Sequence, residues 1–190
     1  MTLKELEANP FKAKKPSKAH RLIIIRGLPG SGKTHYAKKH WPGSLLLEGD
    51  QYFTDVDGNY NFGKGHLDNS TKYVDVMLET ACKCGVPSIV VTGTSPNAMT
   101  AIGYAKIAKH YGYTVKFYWI DYNNGNTNQN RHYLPAEVIR SMKSSWCAIT
   151  GETLLERTYP LDMFDGSNTV RTTKNYPKWF AEKIAGGQEA

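Results

Sequence analysis

Apolar residues in this chain fall in short unbroken runs, with segments of helical periodicity between them. Leu22-Ile23-Ile24-Ile25 is a continuous branched run. Such a run marks a strand buried on both faces of a parallel sheet. Ser44-Leu45-Leu46-Leu47, Ser88-Ile89-Val90-Val91 and Tyr113–Ile120 repeat the signal. Between the first two, a helix is expected near Gly32–His40, stopped by Pro42-Gly43. Tyr73, Val74, Met77, Leu78 and Ala81 form a helical stripe, with Asn69 or Ser70 as cap and Gly85 as terminator. Ser95-Pro96 predicts N-cap and first turn of a third helix, closed by Gly112. Pro135 is expected to open a fourth, which carries Val138, Ile139, Met142 and Trp146. Residues 51–67 hold Gly58, Gly63 and Gly65 among aromatics and predict a long loop, of a length that is usually functional. Tyr122–Gln129, rich in Asn and Gly, predicts another loop. Asn168–Thr173 is expected to be a fifth, edge strand, and Pro177–Ala185 a closing helix; Gly151–Gly166 yields no element.

Strands alternating with helices call for an α/β fold, a parallel sheet joined by right-handed crossovers. The expected architecture is a three-layer sandwich with about five parallel strands and helices on both faces. Residues 1–21, with Lys12, Lys14, Lys15, Lys18 and Arg21, are expected to be a basic extension, and 22–190 one domain. The extension is either an ordinary solvated tail or a contact for a polyanion.

The first strand runs into Gly27-Leu28-Pro29-Gly30-Ser31-Gly32-Lys33-Thr34, a complete Gly-x-x-x-x-Gly-Lys-Thr segment followed by a helix. Gly30 and Gly32 let the backbone approach phosphates without a Cβ clash. Successive N–H groups of the loop, including those of Pro29's neighbours and Ser31, then form an anion nest at a helix N-terminus. Lys33 is placed to reach β/γ oxygens, and the Thr34 hydroxyl to bind Mg²⁺. The expected fold type is thus that of the P-loop NTPases, with ATP or another nucleoside triphosphate and Mg²⁺ as cofactors.

Asp50 follows the second strand, at the same sheet edge as the P-loop. It is either a general base for an attacking hydroxyl or an aspartate that caps a turn. Arg131, His132, Arg140 and Lys143 make a basic cluster after the fourth strand. It is either a lid that closes on the nucleotide or a solvated helix face. Tyr52, Phe53, Tyr60 and Phe62 either stack on bases or pin their loop to the core.

Ile23–Tyr36, with Gly49-Asp50-Gln51-Tyr52-Phe53, Gly58, Tyr60, Phe62, Gly112-Tyr113 and Asn130-Arg131-His132-Tyr133-Leu134-Pro135, resembles the polynucleotide 5′-hydroxyl kinase group of P-loop kinases. The resemblance spans roughly residues 22–147. It implies an ATP-dependent kinase for the 5′-hydroxyl of DNA or RNA, with Asp50 as general base and Lys33 on the γ-phosphate. It also implies a lid near 123–135 with an arginine that clamps the phosphates; Arg131 in that lid or Arg140 after it is the candidate, and Asp50, Tyr52 and Arg140 are candidate substrate contacts. Two departures stand out. Gln129-Asn130 replaces the family's Arg-Asn, and Thr92-Gly93-Thr94-Ser95 replaces an acidic residue and Asn near the end of the third strand.

Composition narrows the partners. The 190 residues carry a formal charge of +7 and 40% hydrophobic positions. That suits one folded domain whose basic surface is either merely solvated or meets a polyanion, for which the resemblance implies a nucleic-acid 5′ end. Cys82, Cys84 and Cys147 have no zinc-ligand spacing, so no structural metal is expected. Cys82 and Cys84 should point to different faces. The opening residues have no apolar segment of signal-peptide type, and no apolar run suits a membrane span; a cytoplasmic protein is expected. Oligomeric state is not legible. Two other functions compete: a kinase of a small hydroxyl compound, and an ATP-binding interaction protein with little transfer activity. Asp162 and Asp165 lack the Asp-x-Asp spacing of a phosphatase nucleophile.

Overall fold

A computed structural model of the protein describes residues 17–122 and 134–157. The expected strand at 168–173, the helix at 177–185 and most of the 123–135 lid lie outside the described residues. Five strands form one sheet in the order β2-β3-β1-β4-β5. They are β1 (Ser17–Gly27), β2 (Leu45–Glu48), β3 (Ser88–Gly93), β4 (Tyr113–Tyr122) and β5 (Thr153–Arg157), and every neighbouring pair is parallel. The helices are α1 (Lys33–His40), α2 (Leu67–Lys83), α3 (Ala98–His110) and α4 (Ala136–Ser144).

The unbroken apolar run of β1 has a direct physical cause. Leu22 and Ile24 pack into a cluster with Val74 and Leu78 of α2 and Ala101, Ile102 and Ala105 of α3. Ile23 and Ile25 point to the opposite face, into a cluster with Tyr36 and Ala37 of α1. Both faces are covered, so alternation disappears from the sequence. Each of these leucine and isoleucine side chains of β1 is worth about 1.5–3 kcal/mol on burial. Tyr36 also stacks on His40 and meets Trp41 edge-on, and Trp41 in turn packs on Tyr118 of β4, which ties the end of α1 to the sheet. Burial, reinforced by Tyr118, pushes the Tyr36 phenol up to about 12.

Several boundaries differ from expectation. β1 starts at Ser17, five residues before the apolar run, and Arg21 pairs with Ser88 in register. The fifth strand is Thr153–Arg157, with Leu154 and Leu155 buried on opposite faces. It lies in the stretch from which no element was expected, because Gly151 and Glu152 on its N-terminal side mask a run of only two leucines. α2 begins at Leu67, directly after a 3₁₀ turn at Lys64–His66, so neither Asn69 nor Ser70 is its cap. The cap of α3 is Asn97, whose side chain accepts from the Met99 N–H at 2.9 Å. Ser95 is unsuited to that position: its φ is +37° and its carbonyl serves Arg26. Pro135 sits at the N-cap of α4, one residue earlier than a first-turn proline. Cys82 is buried and Cys84 exposed, on different faces as expected, and all three cysteines are free thiols. No helix among the described residues is long and apolar enough to cross a membrane.

The C-terminal end of β1 is fixed by Arg26, whose side chain is fully buried. Its Nη1 donates to both Glu152 oxygens at 2.9 Å. Nε and Nη2 donate to the Ser95 carbonyl at 3.1 and 2.9 Å, and Nη2 to the Cys147 carbonyl at 2.7 Å. The guanidinium carbon lies 4.8 Å from the centre of the Trp146 ring. Burial pushes the Glu152 carboxyl up and the Arg26 guanidinium down, and the attraction between them opposes both shifts. Desolvation therefore cancels much of the pair's gain, but removing one partner leaves a buried charge uncompensated. Glu152→Ala is expected to cost about 3–5 kcal/mol in urea unfolding. Lys83→Ala, which breaks the exposed Lys83–Glu79 pair, should leave the unfolding midpoint nearly unchanged, since solvent screens such a pair. Equal effects of the two would show that the buried pair does not organise the fold.

Candidate functional site

The parallel register brings the strand ends to one edge. Glu48 stands beside Thr92, Arg26 beside Gly93 and Trp119, and Gly27 beside Ile120. Ligands of open α/β sheets sit beyond this edge. The P-loop leaves β1 here and turns into α1. Gly32 is the N-cap of α1 at φ +90°, and Gly30 has φ +77°, both left-handed conformations that a side chain resists. Gly27 is needed for a different reason. A Cβ there would lie 2.5 Å from Ser31 Oγ and 2.7 Å from the Ile120 carbonyl. Ser31 is itself buried, its N–H bonded to the Leu28 carbonyl at 3.0 Å. Leu28 packs on the Trp119–Trp146 cluster, and Pro29 occupies the outer turn between Leu28 and Gly30. No acidic residue stands in the first turn of α1, so its partial positive end is left for an anion.

Lys33 Nζ donates to the Leu28 carbonyl across the loop at 3.0 Å. Thr34 Oγ1 donates to Glu48 Oε1 at 2.5 Å, and Thr92 Oγ1 donates to the same oxygen at 2.5 Å. One carboxylate thus joins the P-loop, the tip of β2 and the tip of β3. The sequence does not mark Glu48 as functional: its only signal is an acid at the end of β2, beside a third strand that carries Thr92 rather than a carboxylate near its tip.

After Glu48 the chain turns through a 3₁₀ segment, Gly49–Phe53. Gln51 locks this turn to β2: its Oε1 accepts from the Glu48 N–H at 3.1 Å and its Nε2 donates to the Leu46 carbonyl at 3.2 Å. Asp50 sits in the turn, exposed, with Tyr60 Oη donating to its Oδ1 at 3.3 Å. Burial, aided by the Asp50 charge, pushes the Tyr60 phenol up to about 12, so it remains a proton donor at neutral pH. The Thr54 hydroxyl donates to the Asp50 carbonyl at 2.9 Å.

The aromatic loop divides between its two expected roles. Phe53 is buried and pins the loop, whereas Tyr52, Tyr60 and Phe62 are exposed. Tyr60 and Phe62 lie nearly parallel, 11° apart, and each packs on Phe53. Asp55 holds the loop tip: its Oδ1 accepts from the Asp57 and Asn59 N–H groups at 3.0 and 2.8 Å. Those bonds, from Asn59 above all, hold its carboxyl below the usual range. Arg140 is exposed on α4, and Lys143 on the same helix reaches the buried Asp121 at 3.9 Å. Arg131 lies outside the described residues. The structure therefore brings Lys33, Thr34 and Asp50 to one edge through Glu48, with Tyr52 in the turn after Asp50.

Comparison with known proteins agrees with this architecture. The family model described as an AAA domain matches residues 22–146, well over half of the chain. Human NEDD4-binding protein 2 is 27% identical over 99 residues, which is 50% of this chain and 6% of that protein. The chain thus spans a small fraction of this relative's length. A sugar kinase structure from Janibacter superposes with TM-score 0.53 at 15% identity, covering 89% of this chain and 99% of that one. The Pnkp1/Rnl/Hen1 RNA repair complex superposes with TM-score 0.54 at 16% identity, covering 68% of this chain and 44% of that one. At these identities the likeness is one of fold, a P-loop kinase-like sheet.

The tight seat of Gly27 makes a clear prediction. Gly27→Ala must move Ser31 or the Ile120 carbonyl, and overpacking of this kind costs about 1–3 kcal/mol. By urea unfolding, the variant is expected to lose about 1–3 kcal/mol of stability. Unchanged stability would mean that Ser31 and the Ile120 carbonyl give way without cost.

Proposed function

Since this chain belongs to the AAA domain family, and its fold is that of P-loop kinases, we propose that it is an ATP-dependent kinase of polynucleotide 5′-hydroxyl ends. The observation that carries the reading is the placement of Asp50. Its exposed carboxylate stands one turn beyond Glu48, which is bonded to Thr34 of the P-loop. The hydroxyl of the exposed Tyr60 donates to it, and the exposed Phe62 ring stacks on Tyr60.

In this reading the cradle of Gly27, Pro29, Gly30, Ser31, Gly32, Lys33 and Thr34 holds the triphosphate. Lys33 exchanges the Leu28 carbonyl for phosphate oxygens, and the N-terminus of α1 adds partial positive charge. Mg²⁺ would neutralise charge on the β and γ oxygens, and the Thr34 hydroxyl is the ligand the loop offers it. The acceptor's 5′-oxygen attacks the γ-phosphorus as its proton passes to Asp50. The bond from γ-phosphorus to the bridging oxygen breaks, and ADP leaves. Tyr60 holds the Asp50 carboxylate in place through its hydroxyl. The faces of Tyr60 and Phe62, with Tyr52, suit stacking on the terminal bases without regard to sequence. The net charge of +7 suits a polyanionic acceptor. Arg131 in the lid, or Arg140 on α4 after it, would supply the clamp.

The test offers γ-labelled ATP and Mg²⁺ with 5′-hydroxyl oligonucleotides, with nucleosides, or with no acceptor. Label is expected on the oligonucleotides. Label on nucleosides alone would replace the polymer by a small hydroxyl substrate, and ATP binding without transfer would make the chain an ATP-binding interaction protein. Asp50→Asn should lower kcat by ~10²–10⁴ with ATP affinity retained. An Asn variant with full kcat would leave Asp50 a turn-capping residue.

A further inference from the structure

Thr34 is the P-loop hydroxyl that a magnesium ion takes as ligand, and such an ion also needs a carboxylate close by. Thr92, at the tip of β3, is neutral and buried, and its hydroxyl points at Glu48. Glu48 Oε1 is at hydrogen-bond distance from Thr34 Oγ1. We propose that Glu48 is the acid of the magnesium site of the bound triphosphate, positioned by Thr92 and acting together with Thr34. The proposal rests on the reading of the loop as a triphosphate cradle and deepens it.

The chemistry of the donor set fits. A hydroxyl gives its proton to one partner and its lone pairs to another. Thr34 can therefore keep its hydrogen bond to Glu48 while its oxygen faces a cation. Magnesium is usually held by one or two carboxylates together with substrate phosphates and waters, not by a dedicated protein cage. No group of three or more metal-ligating side chains occurs among the described residues, which suits a site completed by the nucleotide. Asp50 is a separate carboxylate, engaged by Tyr60. Asp121, another acid at this edge, is buried and faces Lys143. The two acids after β2 then divide the work, Glu48 towards the cation and Asp50 towards the acceptor. The same arrangement explains how the strand edge tolerates Thr92 where an acid would otherwise stand. The second hydroxyl fixes the carboxylate that reaches across from β2.

A merely structural tie between β2 and the P-loop would make the same hydrogen bonds, so the test must read the charge. Glu48→Gln keeps an acceptor for both hydroxyls and removes the negative charge. In the full chain, the affinity for a non-hydrolysable ATP analogue is measured by calorimetry with Mg²⁺ and with EDTA. Mn²⁺ binding to the analogue complex is followed by electron paramagnetic resonance. The expected result is unchanged affinity in EDTA, loss of the gain on adding Mg²⁺, and Mn²⁺ binding weaker by about 10- to 100-fold. Equal loss with and without Mg²⁺ would make Glu48 a structural tie and overturn the proposal, as would unchanged Mn²⁺ binding. If Glu48→Gln does not fold, the exchange Glu48→Thr with Thr92→Asp returns a carboxylate to the same contact. Recovery of Mn²⁺ binding there supports the site, and its failure in a folded protein overturns it. An unmodified chain that binds no analogue in either buffer removes the cradle reading itself. Binding without transfer to any acceptor removes only the kinase reading.

Discussion

The structure depends on how a fully buried arginine is satisfied at the end of the central strand. Arg26 directly precedes the P-loop, and its donors go to Glu152, to the Ser95 carbonyl and to the Cys147 carbonyl. Those partners belong to three regions: the segment before β5, the loop after β3 and the segment after α4. Such a group costs several kcal/mol to desolvate, and the geometry around it must be nearly complete to offset that. The strand end is thus over-determined, and the glycine loop that leaves it inherits a fixed starting point. Trp146, above the guanidinium, and its stacked neighbour Trp119 extend the same anchor to Leu28 in the loop.

A second joint lies on the other side of the P-loop. Glu48 accepts hydroxyl protons from Thr34 and Thr92 and so holds α1, β2 and β3 together where the sheet ends. Arg26 works by burial and Glu48 by its position, half-buried, at the strand edge. The first sets the loop's shape, and the second sets the relation between the loop and the turn that carries Asp50. Gln51 stiffens that turn from the far side through Leu46 and the Glu48 amide. The proposed transfer needs little covalent chemistry from the protein beyond such positioning and charge.

The sheet was largely legible in the sequence because parallel strands covered on both faces leave unbroken apolar runs, as in Leu22–Ile25 and Ile89–Val91. β5 was not, since two leucines after Gly151 and Glu152 give too short a run to recognise. The cap of α3 was misplaced because Ser95 competes with Asn97 for the same sequence signal, and only the demand of Arg26 on the Ser95 carbonyl decides between them. The glycine loop and its turn into α1 at Lys33 and Thr34 could be placed from spacing alone, since that segment is local in sequence. Glu48 and Thr92 could not, because their meeting is a matter of register between β2 and β3 across 44 positions. The partnership of Arg26 and Glu152, 126 positions apart, is invisible for the same reason. A charged residue within an apolar strand hinted that a partner existed, but not which.

The proposed transfer runs directly from nucleotide to acceptor, in line, with Asp50 as base and no covalent enzyme intermediate. The stereochemical course at phosphorus tests it most directly. With ATP made chiral at the γ-phosphorus by oxygen isotopes and sulfur, the thiophosphoryl product on a 5′-hydroxyl oligonucleotide is analysed for configuration. A single in-line displacement inverts it, and inversion is the result this account predicts. Retention would mean two successive displacements through an enzyme-bound phosphoryl group, and would contradict it.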